Sequence, residues 1–113
     1  MAIDKSLLSG STAMLLLKLL AQKDMYGYEM IENLRQMSNH VFELKAGTLY
    51  PLLHSLEVKG YLDSYEEAAG GKTRKYYTLT KAGKRYLKEK EEEWKEYSDA
   101  VTRVLGGVSC GTI

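Results

Sequence analysis

Gly47-Thr48-Leu49-Tyr50-Pro51-Leu52-Leu53-His54-Ser55-Leu56-Glu57-Val58-Lys59-Gly60-Tyr61-Leu62 is the stretch on which the fold turns. Leu49, Leu52, Leu53 and Leu56 fall three or four apart, the spacing of one helix face. The helix runs from about Ala46 to Lys59. Gly60 stands where a left-handed residue ends a helix. Pro51 fits a first turn if Thr48 is the N-cap; if the helix starts earlier, one backbone hydrogen bond is lost near its beginning. With the leucines inward, Lys45, Thr48, Tyr50, His54, Ser55 and Lys59 are left nearer the outer face.

Downstream, Tyr61 to Glu67 and Thr73 to Leu79 are rich in Tyr and Thr and read as two strands. Ala68-Ala69-Gly70-Gly71-Lys72 between them reads as a hairpin loop of four or five residues. Tyr76 and Tyr77 must face opposite sides, one buried and the other covering the hairpin. Thr80 caps a final helix from Lys81 to about Leu105. There Leu87, Trp94 and Val101 are seven apart, and Tyr97 and Val104 follow the last two by three, a heptad-like stripe broken at Lys90. A helix with this stripe needs a partner surface, so Leu87, Trp94, Tyr97, Val101 and Val104 are expected at a dimer interface.

Upstream, Tyr26 to Ser38 forms a helix on Met30, Ile31, Leu34 and Met37, and Ser38-Asn39-His40 punctuate the chain. Lys23-Asp24-Met25 reads as a short connection. A first helix from about Asp4, its candidate cap, to Gln22 is apolar around much of its circumference, so it is buried or shared between two chains.

At 113 residues the chain supports one modest core. Its 44% hydrophobic and 27% charged residues are those of a globular protein. The apolar run Ala13 to Ala21 is broken by Lys18 and too short for a bilayer. One cysteine, Cys110, excludes an internal disulfide and suits a reducing cytosol, so a cytoplasmic location is expected. Net charge is only +1, but the distribution is one-sided. From Ala68 to Lys88 there are seven basic residues (Lys72, Arg74, Lys75, Lys81, Lys84, Arg85 and Lys88) and no acidic one, and five glutamates follow between Glu89 and Glu96. Such a run makes a local field that suits an anionic partner, or it is a solvated face.

Three helices, a hairpin and a long helix make a mostly α fold with a small β-hairpin. This is a winged helix-turn-helix followed by a long C-terminal dimerisation helix. The expected divisions are 1–80 for DNA binding, 81–105 for dimerisation and 106–113 for a flexible tail. Lys45, Thr48, Tyr50 and His54 would meet double-stranded DNA from the third helix, and Lys72, Arg74 and Lys75 from the wing, because hydroxyls, aromatics and cations bond phosphates and base edges. The two histidines lack partners at ligand spacing, so no metal and no cofactor is expected. No nucleophile-base set and no phosphate loop appears, so no enzyme is expected. A winged helix that binds proteins and not DNA is the alternative, because a fold does not fix a function.

Gly47-Thr48-Leu49-Tyr50-Pro51-Leu52-Leu53, Leu56-Glu57, Gly60-Tyr61-Leu62 and Gly71-Lys72-Thr73-Arg74-Lys75-Tyr76-Tyr77-Thr78-Leu79-Thr80 with Gly83 together resemble the PadR family of bacterial transcriptional regulators. The resemblance runs from about Leu7 to Leu105. The short chain with one final helix is similar to the compact subgroup that includes multidrug-responsive repressors. The resemblance implies a homodimer, repression by operator binding and, in some members, release by a small molecule. It places Tyr50, Thr48 and His54 at the DNA, and Arg74 and Lys75 as wing contacts. Lys45 departs from the pattern, standing where many members have a capping Ser, Thr or Asn. The resemblance further implies a site for a planar aromatic ligand at Trp94, with Glu91 and Glu93 beside it favouring a cation.

Overall fold

The computed structural model describes residues 5–106, with side chains from Ser11 onward. The expected cap Asp4 and the tail beyond Gly106 lie outside the described residues. The order is α1 (Lys5–Gln22), β1 (Met25–Tyr26), α2 (Gly27–Met37), α3 (Ala46–Val58), β2 (Leu62–Ala69), β3 (Lys72–Leu79) and α4 (Lys81–Leu105).

α1 is apolar around its circumference because the other elements cover it from several sides. It meets α2, β3 and α4, and Leu16, Leu17, Leu19 and Leu20 are all buried within one chain. Met30 and Leu34 of α2, Leu49, Leu53 and Leu56 of α3, Leu62 and Tyr77 of the sheet, and Leu87 of α4 close the same core.

Two expectations change and one open alternative is decided. Met25-Tyr26 is not a plain connection but a third strand, paired with Tyr77 and Tyr76 of β3, so the antiparallel sheet has the order β1-β3-β2. Met25 is buried by this pairing. The hairpin loop is two residues, not four or five: Ala69 pairs with Lys72, and Gly70 and Gly71 take φ of 58° and 82°. Two successive positive φ angles define the tight turn whose twist matches the strands, and glycine adopts them without steric cost. The open alternative concerns Pro51: α3 starts at Ala46, as expected, and so before Thr48. Its N-cap is Lys45, which makes no side-chain capping bond, and Pro51 lies inside the helix. One intrahelical hydrogen bond is therefore missing in α3.

The two ends of the wing are tied together at one point. Gly60, at φ 84°, and Tyr61 donate to the carbonyls of Glu57 and Leu56 at 3.0 Å each, which closes α3 in a Schellman motif. Thr80 then joins α3 to α4. Its hydroxyl donates to the Gly60 carbonyl at 2.7 Å and accepts from the Gly83 N–H at 2.9 Å. Its own N–H donates to the Tyr61 carbonyl at 3.1 Å. The Tyr61 and Tyr86 rings stack over this junction with centroids 4.2 Å apart. Wing, α3 and the start of α4 are thus joined at one hydrogen-bonded junction.

α4 is about 37 Å long at the usual helical rise, while the molecule measures 60 × 33 × 21 Å. Gly83 and Leu87 are its two buried residues. Leu87 was expected at a dimer interface, but it is only 5% exposed in the single chain and has no face to offer a second. It sits in the first two turns, which lie on the core; beyond them no described residue of the helix is fully buried.

Candidate nucleic-acid interface

The outer face of α3 is a continuous strip. Gly47, Thr48, Tyr50, Pro51, His54 and Val58 are exposed, with Lys45 before and Lys59 after. Lys45, Thr48, Tyr50 and His54 are each exposed, Thr48 on one edge of the strip and Tyr50 and His54 on the other, while Ser55 is half-buried. Sequence reasoning missed Gly47, Pro51 and Val58, which lie along the middle of the strip. Placing every residue at 100° around the helix would have found them, because all three lie opposite Leu49 and Leu53.

Tyr50 plays two parts. Its ring packs on Gly27 at the start of α2: a Cβ on Gly27 would lie 2.2 Å from the phenol oxygen. The ring nevertheless stays 39% exposed. Burial, with smaller effects from Tyr77 and Tyr28, pushes its hydroxyl pKa up, so the group remains a hydrogen-bond donor. Tyr28, also exposed, extends the phenolic surface onto α2.

Strand alternation divides the wing cations. Ser64, Tyr77, Glu66 and Lys75 share the face toward α3, where Ser64 donates to Glu57 at 2.7 Å. The Lys75 ammonium lies 5.5 Å from the centre of the Tyr77 ring. Tyr65, Tyr76 and Arg74 occupy the other face. There the Arg74 guanidinium sits 4.4 Å over the Tyr26 ring, and Tyr76 stacks on Tyr65 and meets Tyr26 edge-on. Of the paired tyrosines, Tyr77 is the buried one and Tyr76 covers the hairpin. Tyr65 donates a 2.6 Å hydrogen bond to Asp24, which pushes its pKa up to about 12.

The basic run is less one-sided in space than in sequence. The register sets Glu67 across from Arg74 and Glu66 across from Lys75. Lys72, at the turn, faces Ala69 and has no acidic partner across the ladder.

The outer part of α4 carries the remaining expected site. Trp94 is 50% and Val104 84% exposed, Tyr97 is exposed and Val101 half-buried. The Trp94 and Tyr97 rings lie 5.9 Å apart, tilted by 35°. A shallow apolar hollow is lined by Tyr97, Ala100, Val101, Val104 and Leu105, beyond Trp94 and not around it. The two glutamates expected to attract a cation are already engaged, Glu91 with Lys18 of α1 at 3.0 Å and Glu93 with Lys90 at 3.2 Å.

Comparison with known proteins agrees with this architecture. Residues 16–89 match the transcriptional regulator PadR-like family. The chain is 37% identical over 75 residues to the transcriptional regulator Rv3488 of Mycobacterium tuberculosis, covering 66% of this chain and 67% of that one. It superposes on a transcriptional regulator from Clostridium thermocellum with a TM-score of 0.85 at 32% identity, over 92% of this chain and 99% of the other. A PadR family transcriptional regulator from Eggerthella lenta gives a TM-score of 0.77 at 38% identity, over 88% and 86%. These relatives are regulators, not enzymes. No helix among the described residues is long and apolar enough to cross a membrane.

Proposed function

This chain belongs to the PadR-like family of transcriptional regulators, and we propose that it represses transcription as a homodimer holding a pseudo-palindromic operator with two copies of α3 and of the β2–β3 wing. The observation that carries this reading is the exposed strip of α3, where Thr48 lies along one edge and Tyr50 and His54 along the other, between Lys45 and Lys59. Hydroxyl, phenol and imidazole groups on a helix that fits the major groove are base- and phosphate-bonding chemistry. Lys75, on the same side, extends the contact to flanking phosphate. A cytoplasmic location goes with this DNA-binding role.

DNA binding is assigned to residues 1–80 and pairing to 81–105, where the first two turns of α4 lie on the core and the later turns carry the pairing face. Trp94, Tyr97, Val101 and Val104 form the face that a second α4 covers. Exposed to this degree, they contribute little to the fold of one chain, and a partner helix is the natural cover for an apolar stripe. Two recognition helices then stand about 34 Å apart, one DNA turn, or a multiple of it.

The test is retardation of random and promoter duplexes across a salt series. Binding that weakens steeply with salt, with one promoter held far more tightly than random DNA, is the expected result. Salt-independent behaviour or absence of binding would favour a protein-binding winged helix. Sedimentation at micromolar concentration should show a dimer, and Val101→Glu with Val104→Glu a folded monomer.

Release by a flat aromatic ligand at Trp94 completes the proposal. A half-exposed indole on the pairing face offers stacking area. With Glu91 and Glu93 engaged by lysines, selection rests on shape more than on charge. Quenching of Trp94 fluorescence by planar aromatics, together with loss of operator binding, is the expected result. Quenching without any effect on DNA affinity would make the face a passive one.

A further inference from the structure

We propose that Pro51 reads a base: its exposed ring packs against the C5 methyl group of a thymine in the major groove. The inference rests on α3 being the recognition helix and adds to it the base that the middle of the strip selects.

The middle of the strip carries no hydrogen-bonding side chain. Gly47, Pro51 and Val58 follow one another there at helical spacing, and all three are exposed. Thr48 lies along one edge, Tyr50 and His54 along the other, and Lys45 and Lys59 stand at the ends. Single apolar residues on a surface are ordinary. Here they form a line framed by polar and cationic groups, on the part of the helix farthest from the core. Pro51 also lies in the N-terminal half of α3, the part of a recognition helix that meets base edges.

Gly47 leaves the ring approachable. Side chains on a helix lean toward its N-terminus, so the Pro51 ring leans toward the turn that holds Gly47. Gly47 has no side chain, and nothing lies within 4 Å of where its Cβ would stand. No side chain at position 47 therefore overhangs the ring. The ring itself leaves one kind of partner. It carries no donor and no acceptor, and proline has no backbone N–H. Among the groups that bases present in the major groove, the thymine methyl is the one that an apolar surface recognises. An adenine or guanine edge set against the ring would lose its water with nothing in exchange.

The experiment starts from duplexes enriched out of a random library by the wild-type protein. In the enriched half-site each thymine is replaced in turn by uracil, which pairs in the same way and lacks the methyl. At one position or more the wild type should lose about fourfold in affinity, the effect of one methyl group no longer buried. Two variants then separate contact from helix shape, because both return the N–H that proline lacks while only one keeps an apolar side chain. Pro51→Ser should bind the thymine site about fourfold more weakly and no longer distinguish thymine from uracil at one of the sensitive positions. Pro51→Val should keep the preference there. Random DNA should bind all three proteins alike, since phosphate contacts carry that affinity. An enriched site with no uracil-sensitive thymine would overturn the inference without any variant. So would Pro51→Ser keeping the preference at every sensitive position, or Pro51→Ser and Pro51→Val losing it together. A wild type that enriches no duplex would instead overturn the DNA-binding reading beneath it.

Discussion

Arg74 and Lys75 are neighbours in β3 and lie on opposite faces of the wing, the first over Tyr26 and the second over Tyr77 on the side of α3. A single DNA backbone running past α3 meets one of these faces first. Lys75→Ala should therefore lower affinity for all duplexes and reduce the slope of log affinity against log salt by about 0.9, the signature of one lost phosphate contact. Arg74→Ala should change that slope less and instead loosen the tyrosine cluster. Equal slopes for the two variants, measured by fluorescence anisotropy from 50 to 200 mM salt, would place both cations at the DNA.

Gly27 and Tyr50 form a second coupled pair. A methyl group on Gly27 would occupy the space of the phenol, 2.2 Å from its oxygen. The half-exposed ring can swing away at small cost to the fold, but not while keeping its place on the recognition strip. Gly27→Ala should leave the melting temperature nearly unchanged and weaken the specific site as much as Tyr50→Ala does. Affinity for random DNA should stay within about twofold, since phosphate contacts carry that binding.

Gly83 has no such escape. A Cβ there would lie 2.2 Å from the Tyr61 carbonyl oxygen, a backbone atom held by the Thr80 N–H. Gly83→Ala should destabilise by about 2–3 kcal/mol, the scale of overpacking against a fixed neighbour. Urea denaturation would show this as a lower midpoint with an unchanged m-value.

These close contacts explain which parts were legible beforehand. Local chemistry wrote itself into the sequence: the leucine period of α3, Gly60 at its end and Thr80 as the cap of α4 are each found where their residue types demand. What escaped depended on distant partners. Met25-Tyr26 has no period of its own and becomes a strand only because β3 supplies a free edge. Leu87 fits the heptad with Trp94, yet it is claimed by the core because α1 packs against α4 there. The one-sided basic run is moderated by Glu66 and Glu67, which precede it in sequence and meet it only through the hairpin register.

Tyr65 and Asp24 give the tyrosine face a titration signature. The bond between them favours the protonated phenol, with the hydrogen bond as the largest cause, and pushes its pKa up to about 12. A folded-state pKa above the unfolded value of about 10 means the bond stabilises fully below pH 10, and that this contribution is lost as pH rises through about 12. Absorbance near 295 nm should thus show one tyrosine ionising after most of the others. Asp24→Asn should bring it back toward the ordinary range, because an amide oxygen accepts the same proton without the carboxylate's charge. Tyr65→Phe should delete the late step altogether. If Asp24→Asn left the late step in place, the bond would not be its cause, and the wing would be held to β1 by the Tyr26–Tyr76 edge contact and the ladder alone.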